Sequence, residues 1–394
     1  MGVLIFLTIF LAVEDAQLRA VGRRALHRQY LCRSQLLPNP RKSTPWLALY
    51  DSHCDRAFIT TMGLNTETFH LILQSGFEDI WNTTPISRTD TNHLGEVHLN
   101  ARPLDATGAL GLYLHWVTST MRETSLQQIF ALIPSTVNRY LHFAGNILHA
   151  TLKSMNKARV CFPESSYDFR QYSELIQVRH PLLKGAFGSL DGINIPAQTS
   201  YADPDLENVT YNGWLHTHCT SSVLAFAPDG TIICAQLNAP GSWHDSRVAH
   251  NIYHTLRTST PRGYYLVADT AFPHDYDVVE GHIKTPLKDG DRVPNNHRLR
   301  ELVMQFSHEL VSYRQTAEWG MRSLQGGFGR LRIPLDINNP IQNNLLLENI
   351  CRLNNLRARC VGINQIQNVY IPTWRFGDGD DLWDRLGDML VADI

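Results

Sequence analysis

The chain has 394 residues, 43% hydrophobic and 18% charged, with a formal net charge of -2. That length predicts two or three domains with a sizeable core, and the composition excludes a largely disordered chain. The charge argues against tight autonomous binding to nucleic acid, because phosphate contacts demand a basic face; basic residues must be concentrated locally or a partner must supply the affinity.

Residues 1–60 read as a leader and linker. Val3 to Val13 is an apolar run of about a dozen residues, too short to span a bilayer. No positive charge precedes it, and Glu14 and Asp15 follow at once, so a packed or partner-binding helix is expected ahead of a signal or membrane anchor. Arg19, Arg23, Arg24 and Arg28 continue it as a basic helical stretch, and Pro38, Pro40 and Pro45 mark an irregular linker.

Residues 61–165 read as mainly helical. Thr66 to Leu73 and Ala106 to Met121 carry apolar residues at three- and four-residue spacing. From Thr124 to Tyr140 the spacing predicts a short helix, a tight turn at Ile133-Pro134 and a second helix capped by Ser135. As a helix-turn-helix it would offer Asn138, Arg139 and His142 to DNA, a sparse set for reading bases. An ordinary helical hairpin is the competing reading.

From about residue 180 the pattern changes to strands. Gly185 to Ile195 is an apolar run carrying one acid, Asp191. Ser222 to Pro228 and Thr231 to Leu237 flank Asp229-Gly230, a strong hairpin signal. Ser242 to Leu256 reads as a helix, Tyr264 to Ala268 as a buried strand, and Arg298 to Leu324 as a helix after a loop-rich stretch. The order predicts an α/β region, a mixed sheet with helices packed on it, over residues 166–375. Residues 376–394 form an acidic tail, most marked from Asp378.

Seven cysteines at wide spacings, an odd number with no Cys-x-x-Cys pair, argue against a disulfide framework or structural zinc site. A reducing compartment is expected.

Three acids sit where apolar context makes a charge expensive: Asp191 after Gly188-Ser189-Leu190, Asp269 after Tyr265-Leu266-Val267-Ala268, and Glu318 in Thr316-Ala317-Glu318-Trp319-Gly320. Two strand-end acids and one helix acid can converge on Mg²⁺ or Mn²⁺, which prefer hard oxygen ligands. Two such ions, roughly 3.5–4 Å apart, suit in-line displacement at a phosphodiester. Asp245, at the expected start of the helix after the hairpin, is either a fourth ligand or an acid complementing the helix dipole. Arg314 and Arg322 flank Glu318 four residues away on either side and could grip DNA phosphates or simply pair with it. His216 and His218 would share a strand face, for substrate contact or packing.

Ser189-Leu190-Asp191-Gly192, Pro240-Gly241-Ser242-Trp243-His244-Asp245-Ser246, Ala268-Asp269-Thr270-Ala271-Phe272-Pro273 and Arg314-Gln315-Thr316-Ala317-Glu318 resemble, in this order, the signatures of PIF/Harbinger transposases. More narrowly, the chain resembles fungal DDE endonucleases of that superfamily, over roughly residues 100–375. The resemblance implies a ribonuclease-H-like fold preceded by the helix-turn-helix, with Asp191, Asp269 and Glu318 as the catalytic acids and Asp245 as the additional metal ligand. It implies two divalent ions, Mg²⁺ or Mn²⁺, with DNA as substrate. A separate Myb-like DNA-binding protein that carries the enzyme into the nucleus is implied too, and further copies of the chain are expected partners. The departures are Gly320, which should weaken the catalytic helix, Gln325 where a basic residue often follows the Glu by seven positions, and the apolar leader. Two other readings stand beside the nuclease: a domesticated, catalytically silent DNA- or protein-binding module, and a metal phosphatase for small phosphoesters.

Overall fold

A computed structural model describes residues 30–86, 97–199, 203–273, 276–288 and 290–371. The apolar run Val3–Val13, the arginines that follow it and the acidic tail from Asp378 lie outside these residues. Among the described residues no helix is long and apolar enough to cross a membrane.

The first half is helical: α1 (Pro45–Asp51), α2 (Asp55–Met62), α3 (Thr66–Ile72), α4 (Glu78–Thr83), α5 (Ala106–Thr118), α6 (Glu123–Phe130) and α7 (Pro134–Ser154). Helix α5 is apolar on every side and therefore sits at the centre. Its Gly111 lets the Trp46 indole lie against the backbone, where a Cβ would come within 2.1 Å of the ring.

Helices α6 and α7 form the expected pair, but the second begins two residues early. Ile133 is its N-cap and makes no side-chain cap bond, and Pro134 takes the first helical position; Ser135 caps nothing. A proline has fixed φ and no N–H to leave orphaned, so it outcompetes the serine for that end. The turn falls on Ala131, whose φ is 53°, and the Gln127 carbonyl accepts the N–H groups of both Ala131 and Leu132.

After α8 (Ser166–Gln177), closed by a Ser165–Asp168 capping box, the chain enters the sheet. The elements are β1 (Ala186–Pro196), α9 (Pro204–Thr210), β2 (Tyr211–Asn212), β3 (Thr217–Phe226), β4 (Ile232–Pro240), α10 (Asp245–Val248), α11 (His250–Ser259), β5 (Tyr265–Ala268), β6 (Ile283–Lys284), α12 (His297–Gly327), α13 (Pro340–Cys360) and α14 (Gln365–Tyr370). Strand β1 pairs antiparallel with β3 and parallel with β5; β3 also pairs with β4 and, at its start, with β2, while β6 extends the parallel side. Asp229-Gly230 turns the β3–β4 hairpin as expected, with Gly230 at φ 80°.

The expected helix over 242–256 is two helices, starting at Asp245 and interrupted at Ala249, where ψ is 5°. Helix α12 runs through Gly320 unbroken for 31 residues. Gly320 meets the Phe226 ring, and a Cβ there would stand 2.7 Å from it. Close packing on the sheet compensates for the poor intrinsic propensity of glycine.

Residues alternate between two cores along the strands, as a sheet covered on both faces requires. Leu224 and Phe226 face α12, α13 and the N-terminal helices in one continuous core. Val223, Ala225 and Leu190 face α8 and α11 in the other. Helix α13 also covers the sheet at β4. There the Asn355 amide accepts the Ile232 N–H at 2.7 Å and donates to the Ile232 carbonyl at 2.8 Å, occupying both groups as a neighbouring strand would.

Candidate active site

The parallel register of β1 and β5 places Leu190 beside Ala268, so Asp191 and Asp269 follow on adjacent strands at the same level. Asp191 accepts the Gly192 N–H at 2.9 Å; Asp269 accepts the Thr270 N–H at 2.6 Å. Alternation puts Asp191 on the same face as Ser189, which points at α12. The Ser189 and Thr316 hydroxyls lie 2.6 Å apart and completely buried, clamping α12 to β1. Glu318 stands on that clamped helix.

Asp245 reaches the cluster from the opposite face of the sheet. As the first residue of α10 it lies against Gly192, where a Cβ would fall 2.4 Å from its carboxylate oxygen. Only glycine leaves room for the acid there. The sequence held this signal in the glycine directly after the strand acid, but chain order does not reveal which group would use the space.

Burial pushes the Asp191 carboxyl up to about 6. The nearby carboxylates of Asp269 and Asp245 push in the same direction, against the Gly192 N–H and the Arg314 guanidinium. Burial also raises Asp245, with Asp269 adding and His244 opposing. Three carboxylates thus crowd a half-buried spot with little positive charge to offset them.

Arg314 is the main counter-charge. One guanidinium nitrogen lies 3.1 Å from Glu318 and another 4.0 Å from Asp269. Sequence spacing showed the first contact as an option; the second crosses between elements and had no local signal. Glu318 is therefore joined to Asp269 through Arg314. Among the described residues no three Asp, Glu, His or Cys side chains are placed to grip one ion together. The donor set is all carboxylate oxygen, and Asp191 and Asp245 are desolvated acids whose charged forms are disfavoured as they stand. That chemistry fits a hard divalent cation.

The other candidates lie elsewhere. Asn138, Arg139 and His142 line an open depression with Ser135 and Asn146 on α7. Arg322 is exposed. His216 and His218 do not share a face: His216 sits in the β2–β3 turn at φ 51°, while His218 is on β3, bonded to Thr210 at 3.0 Å. The turn supplies the sharp reversal that an uninterrupted strand would lack.

No curated protein and no solved structure matches the chain. Residues 190–355, a stretch that carries Asp191, Asp245, Asp269 and Glu318, match the model of the family described as DDE superfamily endonuclease.

Proposed function

We propose that the chain is a metal-dependent DNA endonuclease or strand transferase with a ribonuclease-H-like catalytic domain. The observation that carries this reading is the meeting of Asp191 and Asp269 on adjacent parallel strands, with Asp245 entering over Gly192. The sheet, antiparallel on one side of β1 and parallel on the other, supports the fold assignment.

Asp191, Asp245 and Asp269 are the residues that would hold divalent ions, with Glu318 joining once released from Arg314. When bound, such ions activate the attacking hydroxyl and stabilise the departing oxygen in an in-line displacement. The chain's own part is to hold the acids. The Gly192 and Thr270 N–H groups orient Asp191 and Asp269, and the Ser189–Thr316 contact fixes the helix of Glu318. Arg314 is placed to turn from the carboxylates to a phosphate, a geometry the guanidinium fork suits. The PIF/Harbinger affiliation, a Myb-like partner compensating for the net charge of -2 and a nuclear location belong to the same proposal.

A second reading, a silent binding module that keeps the fold, draws on the Arg314 bridge, which partly offsets the charges of Glu318 and Asp269 without any ion. Paramagnetic resonance of Mn²⁺ separates the two. Saturable binding that disappears in the Asp191→Asn/Asp269→Asn double variant supports the enzyme. Equal binding by both proteins at millimolar Mn²⁺ favours the silent module.

A further inference from the structure

The β2–β3 turn carries Trp214, which is 91% exposed, with Leu215 beside it at 51%. Isolated exposed hydrophobics are ordinary, but this one is held in place and borders the acids. The Asn212 carbonyl oxygen accepts the N–H groups of Trp214 at 3.0 Å and Leu215 at 3.1 Å, while its NH₂ donates to the Gly241 carbonyl at 2.9 Å. Gly241 is packed so closely that a Cβ would meet the Cys219 carbonyl at 2.1 Å. The Ser242 N–H closes the join on the Val209 carbonyl at 3.2 Å. The turn and the loop leading to Asp245 are thereby tied together.

Between them lies a cavity of about 290 Å³, lined by Asn194, Asn212, Trp214, Trp243, His244 and Asp245. The Arg247 guanidinium stacks on the Trp243 ring, 4.0 Å from its centroid. The space combines aromatic surface with amide and imidazole edges, and it opens beside one of the acids.

We infer that Trp214 is a stacking platform for one unpaired nucleobase of the DNA strand next to the bond being cut, with Asn194, Asn212 and His244 facing the base edge. A flat heteroaromatic ring with hydrogen-bonding edges satisfies both kinds of lining at once, stacking on the indole while its edge meets the polar side chains. A base inside a duplex cannot present its face to Trp214, so the occupant is unpaired or extruded. The inference rests on the DNA-cutting reading above, because the base is held beside Asp245.

The test uses the whole chain in EDTA, so that no cleavage is needed. Labelled (dT)12, a 12-mer of abasic sites and a blunt duplex are titrated by anisotropy, with tryptophan emission followed in parallel. The expected result is quenching by (dT)12 in the wild type and about tenfold weaker (dT)12 binding in Trp214→Ala, the scale of one lost base–aromatic stack. Abasic binding should stay unchanged, and Trp214→Phe should keep most of the affinity. Unchanged (dT)12 affinity in Trp214→Ala, an equal loss for the abasic strand, or no binding of (dT)12 at all would overturn the inference. Asp191→Asn is titrated alongside and assayed separately for cleavage in Mn²⁺: if it binds (dT)12 normally yet still cuts DNA, the catalytic assignment fails and the Trp214 site stands.

Discussion

The hydroxyl oxygens of Ser189 and Thr316 lie 2.6 Å apart with no access to water, and through them α12 is anchored to β1 at the level of the acids. Thr316 donates to the Tyr313 carbonyl at 2.7 Å, so Ser189 is the donor to Thr316. Thr316→Val removes the acceptor and strands a buried hydroxyl, which costs about 1–3 kcal/mol. Ser189→Ala combined with Thr316→Val should recover most of that loss. Urea unfolding of the two single variants and the double checks it; a strictly additive double variant would show that the two hydroxyls are not coupled.

Gly320→Ala tests whether packing or propensity governs α12. Propensity alone predicts a gain of about 1 kcal/mol. A methyl group 2.7 Å from the Phe226 ring predicts a net loss, with overpacking costing about 1–3 kcal/mol. Adding Phe226→Leu should relieve the clash. A stabilised Gly320→Ala protein would mean that the ring moves aside freely.

Asp191 should make the metal-free protein sensitive to pH. Its carboxyl is pushed from the ordinary 3.8 up to about 6 in the folded chain. Between those values the folded state keeps a proton that the unfolded chain has released, so stability falls as pH rises through the window. The effect is about 1–3 kcal/mol at full extent. Asp191→Asn cannot ionise; in EDTA it should match wild type near pH 4 and exceed it at pH 7. An identical gap in urea midpoint at both pH values would refute this, whereas loss of Mn²⁺-dependent cleavage is expected in any case.

Arg314→Gln removes a positive charge held against Glu318 and Asp269. Mn²⁺ should then bind several-fold tighter, because a competing counter-charge is gone, while cleavage falls for want of a phosphate contact. Weaker Mn²⁺ binding would instead identify Arg314 as the brace that keeps the carboxylates in position.

Asn355→Leu should destabilise the fold away from the acids. It leaves the buried N–H and carbonyl of Ile232 without partners, each worth about 1–3 kcal/mol. Thermal unfolding should shift downward with Mn²⁺ affinity unchanged in the folded protein. A neutral substitution would imply that water replaces the amide.

The sequence by itself singled out most of the elements and two of the acids. An apolar run makes a carboxylate expensive, and that singled out Asp191 and Asp269; Asp269 follows the end of β5 as expected, whereas Asp191 lies in the middle of β1, which runs on to Pro196. Asp229-Gly230 encoded the hairpin, and periodicity located α12 to within a few residues. Tertiary structure decided the rest. Only the sheet register sets Asp191 beside Asp269, only the gap at Gly192 admits Asp245 from the far face, and only the helix packing lets Arg314 span Asp269 and Glu318. The close approach of Gly320 to the Phe226 ring likewise gives that glycine a packing reason that its local signal does not show. Turn chemistry and periodicity act over a few neighbouring residues, whereas the contacts between elements join residues some 45 to 95 positions apart and exist only after both faces of the sheet are packed.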